Sequence, residues 1–304
     1  MPTQSLESIL YRELTHVAAK DRIAIASPLL QELVNYATNV FARCLDSASG
    51  EENEDVASLM LYLHTIEMTD GIEVLISESC PIPAIPLLRS SFEAVLQIEY
   101  ILEEDYTRRS LSWLADNVRQ RLASYEALDP STTRGKAYKT VLNTDIVAKY
   151  LQSPDPALAK EAAVNLQNLL ARPQFKVIEA EFERCKKADK RRPAWHRLFN
   201  GPATLEGLSR QMRRGAQYEI LYRQWSRIAH AQDVSRFITS TKGGESAIMP
   251  LRDPDQIEFV TQTAATLMLA ATRVVMKKFR PGENVAKWYI TEIRDPFLSL
   301  NLPG

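Results

Sequence analysis

The sequence has little glycine, little cysteine and no long apolar run, and each shortage excludes something. Ten glycines in 304 residues, with few alternations of β-branched and polar residues, leave little turn chemistry for a β-rich fold. An all-α chain built from long helices follows as the expectation. Cys44, Cys80 and Cys185 are odd in number and scattered, with no CxxC pair, which fits a reducing compartment and not a disulfide framework. No stretch approaches the ~20 apolar residues that cross a bilayer. The most apolar one, 264–276, contains Arg273 and runs into a basic tail. The start, MPTQSLESILYREL, lacks the basic lead and apolar centre of a signal peptide, so a soluble cytoplasmic protein without a membrane partner is expected. The four histidines and three cysteines stand singly, without HExxH or His-rich spacing, and no metal is expected. GxxxxGK(S/T), GxGxxG and GxSxG are also missing, so the motifs offer no nucleotide cradle, no nucleophile elbow and no cofactor.

What is present is a composition suited to a large core, 45% hydrophobic with 25% charged, read as a single domain over 1–304. A net charge of −1 conceals an asymmetry: residues 1–105 hold 18 acidic and 5 basic side chains, and the remainder 20 acidic and 32 basic. Within the basic part, 184–214 has ten Lys and Arg against Asp189 and Glu206. One reading is a phosphate-binding surface for RNA, with Lys186, Lys187, Lys190, Arg191, Arg192, Arg197, Arg213 and Arg214 as its candidates. The other is attraction between opposite charges, within the chain, in a homodimer or toward a protein partner.

Along the chain, 5–22 reads as a helix capped by Ser5, and Ser27-Pro28 as the start of another reaching about Cys44. The acidic loop SASGEENEDV separates this from a helix over about Val56–Ser79, in which His64 reads as locally hydrogen-bonded. CPIPAIP forces a turn, with Pro86 in the first turn of a helix over 87–102. That helix, LLRSSFEAVLQIEYIL, is apolar nearly all round, so Arg89 and Glu93, four apart, form either a buried ion pair or one wall of a polar pocket. A charged amphipathic helix spans 106–128 with Leu111, Leu114, Val118 and Leu122 on one stripe. Breaks follow at Asp129-Pro130, at 153–156 and at Arg172-Pro173. Residues 193–202 form a turn pinned by Trp195 and Phe199, and a helix over 203–214 ends on Gly215 as its cap. After a Gly/Pro-rich loop over 241–255, residues 254–304 give a last helix to about Phe279 and a tail docked by Trp288, Tyr289, Ile290 and Phe297.

The chemistry concentrates in 217–235, QYEILYRQWSRIAHAQDVS. At about 100° per residue Tyr218, Leu221, Tyr222, Trp225 and Ala229 share one face, with Ile228 at its margin. Glu219, Arg223, Ser226 and His230 share the adjacent face, with Arg227 at its edge. Arg223 and His230, two turns apart, project the same way about 10 Å apart along the axis. A histidine that titrates near neutral pH and a flexible arginine suit one phosphate, His for proton transfer and Arg for the charge of a phosphorane. The RNA 2′-hydroxyl would be the nucleophile, which needs no metal. Tyr222, Ser226, Arg227, Arg89 and Glu93 would support the site.

LLRSSFEAVLQIEYIL, with Arg89, Phe92 and Glu93, and the series Trp195, Tyr218, Tyr222, Ser226, His230 resemble a bacterial domain-of-unknown-function family numbered 5677, over about 85–235. The resemblance implies a helical protein without an agreed activity. More loosely, Arg223 and His230 resemble the RxxxxH-type motif of HEPN ribonucleases of toxin–antitoxin and phage-defence systems, which lies on a helix at a dimer interface. Here six residues intervene, and Gln224 follows the arginine. That resemblance implies a metal-independent endoribonuclease or a degenerate relative. The alternative is a non-catalytic helical interaction protein in which Arg89, Glu93, Ser226 and His230 form a buried polar network.

Overall fold

A computed structural model of the chain describes residues 12–48, 54–148, 155–189, 192–240, 244, 246–248 and 251–300. Ser5, Lys190 and Arg191 lie outside the described residues. The fold is all-α. Helix α1 is Arg12–Ser47, α2 Glu54–Ser77, α3 Pro81–Glu103, α4 Tyr106–Leu128, α5 Thr133–Thr144, α6 Pro156–Leu170, α7 Lys176–Asp189 and α8 Leu205–Gln211. A composite helix follows, made of α9 (Gly215–Gln217), a π-helical turn (Tyr218–Tyr222) and α10 (Arg223–Ala229). The chain then forms α11 (Ile257–Phe279), α12 (Val285–Trp288), a second π-helical turn (Tyr289–Ile293) and α13 (Arg294–Ser299). Strands β1 (Ile238–Ser240) and β2 (Ser246–Ile248) pair antiparallel, with Thr239 opposite Ala247, and β2 lies within the stretch 241–255 expected as a loop.

The described residues group into two compact units, where the sequence reading treats 1–304 as one domain. The first comprises Met1–Ala48, Ser58–Glu104 and Ser209–Gly304, the second Ser49–Ala57 and Asp105–Leu208.

In the first unit, α11 packs on α1 and α3, and α10 on α3. Ser27-Pro28 does not divide α1. Pro28 lies inside the helix, and Ser27 turns its hydroxyl to Glu73 of α2 at 2.5 Å, where Gln31 also donates at 2.8 Å. An interior proline removes one backbone hydrogen bond and costs about 3 kcal/mol. Full burial of Ala26, Leu29, Leu30 and Leu33 around it offsets that cost. CPIPAIP is likewise no separate turn. Pro81 opens α3, where a missing N–H costs nothing, and Pro86 stands within the helix. Its buried face carries Leu88, Phe92, Val95, Leu96 and Ile98. Tyr62 of α2 meets Thr272 of α11 at 2.9 Å, and His64 meets Ser90 at 2.8 Å. By length and composition alone, the helix over Pro254–Phe279 is apolar enough to cross a membrane. Its Val260, Ala264, Met268, Ala271 and Val275 are buried, as in a core helix. The tail docks through Trp288, stacked on Tyr36 at 3.6 Å and donating to Glu32 at 2.7 Å, and through buried Ile293; Ile290 is exposed.

In the second unit α4 packs against α5, α6 and α7. Its core joins Leu111, Ala115, Phe175, Ile178, Phe182, Cys185 and Leu198. Arg119 lies over the Phe182 ring at 3.6 Å and donates to Glu179 at 2.6 Å. Thr132 caps α5 by accepting from Gly135. A Cβ at Gly135 would stand 1.8 Å from the Asp129 carbonyl oxygen, so the corner closes only around glycine.

Three helices end in Schellman motifs whose left-handed residue is not glycine. After α2 it is Ser79 (φ 58°), after α8 Arg213 (φ 58°), and after α10 Ala231 (φ 54°). In each the next residue's N–H reaches back five residues, from Cys80 to Leu75, Arg214 to Ser209 and Gln232 to Arg227. Gly215, expected as a cap, instead opens α9.

Candidate functional site

The composite helix is fixed to α3 by aromatic packing. Phe92 lies 5.8 Å from the Tyr222 ring and 6.2 Å from the Trp225 ring, centroid to centroid, and Trp225 is buried. Before that anchor the backbone takes a wide turn, in which the Arg223 N–H donates to the Tyr218 carbonyl, five residues back. Tyr218 and Tyr222 therefore stack, with centroids 4.9 Å apart and planes 18° apart. The helix ends at Ala229, with His230 as its cap, so the expected single helix over 217–235 is shorter and contains a phase step. Ala229, expected on the apolar face, is exposed.

Arg89 of α3 is the hub. It donates to the Tyr222 hydroxyl at 2.9 Å, lies 3.3 Å from Glu93 and reaches Nε2 of His230 at 3.3 Å. Tyr222 in turn donates to Glu93 at 2.7 Å. A guanidinium has no acceptor, so His230 meets it through a lone pair on Nε2, with the ring proton on Nδ1. Burial pushes the Tyr222 phenol up to about 12 and Glu93 adds to the rise, against the opposing Arg89 hydrogen bond. Burial alone would depress Arg89, but its bonds to the phenol and carboxylate leave it raised. The group is half-buried: the Arg89 side chain is 24% exposed, that of Glu93 36%, and His230 is open to solvent. Of the two expectations for Arg89 and Glu93, a buried ion pair or one wall of a polar pocket, the ion pair is present and partly solvated.

Arg223 belongs to a neighbouring pair. It binds Glu219 at 2.8 Å, with its guanidinium 5.7 Å from the Tyr218 ring, and is more than half exposed. The arginine facing His230 comes from α3, 141 residues earlier. Ser226 is half-buried, and its backbone carbonyl accepts the His230 N–H at 3.1 Å. Arg227 points to Asp233, 3.7 Å away.

Most of the basic segment is neutralised within the chain. Lys186 pairs with Glu183 at 3.2 Å, Arg192 with Asp116 at 2.7 Å, and Arg197 with Asp189. Arg214 grips Glu99 through two bonds of 2.6 and 2.7 Å. Lys187 and Arg213 are exposed. A count over 184–214 misses Asp116, Glu183 and Glu99, which lie outside that window. Sequence reasoning also missed Tyr218 as a site residue; its spacing of four from Tyr222 was the available signal. Among the described residues no group of three or more His, Cys, Asp and Glu is placed to hold a metal.

The model of a family of unknown function, DUF5677, matches residues 55–245, more than half of the chain. Searches of curated proteins and of solved structures gave no match.

Proposed function

Because the chain belongs to DUF5677, a family of unknown function, its activity has to be argued from this site, and we propose a metal-independent, HEPN-like endoribonuclease acting in bacterial stress, toxin–antitoxin or phage defence. The observation that carries the reading is the solvent-open His230 with its Nε2 lone pair 3.3 Å from the Arg89 guanidinium. A neutral imidazole beside a permanent cation suits a phosphodiester better than either group alone. Arg89 turns from Nε2 to the phosphate, and the freed Nε2 of His230 takes the proton of the RNA 2′-hydroxyl as that oxygen bonds to phosphorus. The bond from phosphorus to the 5′-oxygen breaks, and His230 returns the proton to the departing oxygen. The products are a 2′,3′-cyclic phosphate and a 5′-hydroxyl end, with no co-reactant. Arg89 stabilises the phosphorane charge, the role that the sequence spacing gives to Arg223. Tyr222 and Glu93 hold Arg89 in place.

Purified protein incubated with total RNA tests this. Cleavage should persist in EDTA and leave cyclic phosphate ends. His230→Ala and Arg89→Ala should abolish it, whereas Arg223→Ala should retain most of it. Since His230 is exposed, His230→Ala should melt within a few degrees of wild type, so lost cleavage would not reflect unfolding. An inactive wild type overturns the proposal. The second reading, a non-catalytic interaction protein, is favoured by one observation: Tyr222 and Glu93 already engage Arg89, as a network fixing α3 to the composite helix would require.

A further inference from the structure

In the first unit a cavity of about 740 Å³ opens where the end of α3, the corner between α8 and α9, and the last turns of α11 come together. Four cations line it, Arg213, Arg214, Lys277 and Lys278, against two carboxylates, Glu99 and Glu103. Glu99 is covered by the two-bond grip of Arg214, which also donates to Gln217 at 2.8 Å, so one wall is rigid and locally neutral. Among the described residues neither Arg213 nor Lys277 has a carboxylate partner. Leu102, Met212 and Val274 add apolar surface to the lining. A volume in this range takes a drug-sized molecule.

Arg213 is the informative residue. Two lysines in the last turn of α11 need no explanation beyond the helix dipole. Arg213, however, occupies the left-handed position of a Schellman motif at φ 58°, where glycine serves at no steric cost and an L-residue is strained. That position carries an exposed arginine in the cavity wall.

We infer that this cavity binds a small phosphorylated ligand of nucleotide size, its phosphate monoester between Arg213 and Lys277 and its flat apolar part against Leu102, Met212 and Val274. This holds whether or not the Arg89–His230 site cleaves RNA. The phosphate monoester has two possible sources, a free nucleotide or the 5′-phosphorylated end of an oligonucleotide.

Isothermal titration calorimetry of the full chain distinguishes them, using AMP, inorganic phosphate, and a dinucleotide with and without its 5′-phosphate. AMP should bind, with inorganic phosphate about tenfold weaker because it leaves the apolar wall empty. Tighter binding of the 5′-phosphorylated dinucleotide than of AMP would identify an oligonucleotide end as the source. Arg213→Gly should weaken AMP binding about tenfold or more while raising the melting temperature, opposite signs that a structural role for Arg213 cannot give. Lys277→Gln should weaken binding similarly, and His230→Ala should leave it unchanged. No heat from AMP or the phosphorylated dinucleotide at millimolar concentration overturns the inference. So does unaltered AMP affinity in Arg213→Gly and Lys277→Gln.

Discussion

A guanidinium nitrogen of Arg89 lies 3.3 Å from Nε2 of His230 although 141 positions separate the two residues in the chain, and a second nitrogen of the same guanidinium donates to Tyr222. Arg89→Ala removes the donor to both Tyr222 and His230 and leaves Glu93 with Tyr222 alone. A fully buried carboxylate stripped of its partner would cost about 3–5 kcal/mol. Glu93 is 36% exposed and can recruit water. The loss should therefore be about 1–2 kcal/mol, read as a shift of the urea midpoint. A loss above 3 kcal/mol would show that the cluster is sealed more tightly than this.

Ala231 closes α10 at φ 54°, a conformation that costs an alanine on the order of 1 kcal/mol relative to glycine. Ala231→Gly should stabilise the protein by up to about 1 kcal/mol, less whatever the extra glycine entropy of the unfolded chain removes. Thermal melts decide it. A lower melting temperature would mean that the cap is not left-handed.

Gly135 should respond in the opposite direction. Glycine to alanine within a helix usually gains about 1 kcal/mol. Here the new methyl would meet the Asp129 carbonyl oxygen at 1.8 Å, and backbone must move. Gly135→Ala should destabilise by about 2 kcal/mol or more. An unchanged or raised melting temperature would contradict the tight corner.

Glu181 supplies a pH dependence. It accepts from Arg184 at 2.6 and 2.7 Å and from the Phe199 backbone N–H at 2.9 Å, and these bonds, the Arg184 pair first, hold its carboxyl down to about 2. In the unfolded chain it titrates near its ordinary value of about 4.3. The folded value is the lower one, so the stabilisation is fully present above that pH and disappears as pH falls toward 2. Denaturant titrations from pH 7 to 2 should show Glu181→Gln less stable at neutral pH and converging with wild type in acid. Parallel profiles would refute the assignment.

Helix placement was legible wherever a long apolar period meets a clear stop, as in 106–128, which matches α4. The prolines misled for an identifiable reason. Pro28 and Pro86 carry strong local signals, but Leu29, Leu30, Leu33 and Leu88 around them bury enough apolar surface to hold the helices through them. At the site, Arg89, Glu93, Tyr222 and His230 were all identifiable as candidates from their types and spacing. Their grouping was one of the readings offered, but the pairing of His230 with Arg89 in place of Arg223 was not legible, because periodicity relates residues on one helix and does not say which residue of a facing helix meets them. The internal pairing of the basic segment was hidden for a similar reason: a window of sequence cannot include the carboxylates that folding brings to it from Glu99 and Asp116.

The wide turn at Tyr218–Tyr222 makes the composite helix a two-phase object. Everything before it is offset by about one residue in helical register relative to everything after it. Deleting the exposed Ile220 would let the segment relax to an ordinary helix without exposing any core. Tyr218 and Glu219 would then stand three residues before Tyr222 and Arg223 where they now stand four, and both spacings are neighbouring ones on a helix, so the rings and the ion pair would stay in reach while Phe92 kept Trp225 seated. The wide turn is therefore a place where the chain absorbs one residue without turning the helix on either side of it. A lost residue there would disturb the polar neighbourhood less than a point substitution at Glu219 or Arg223.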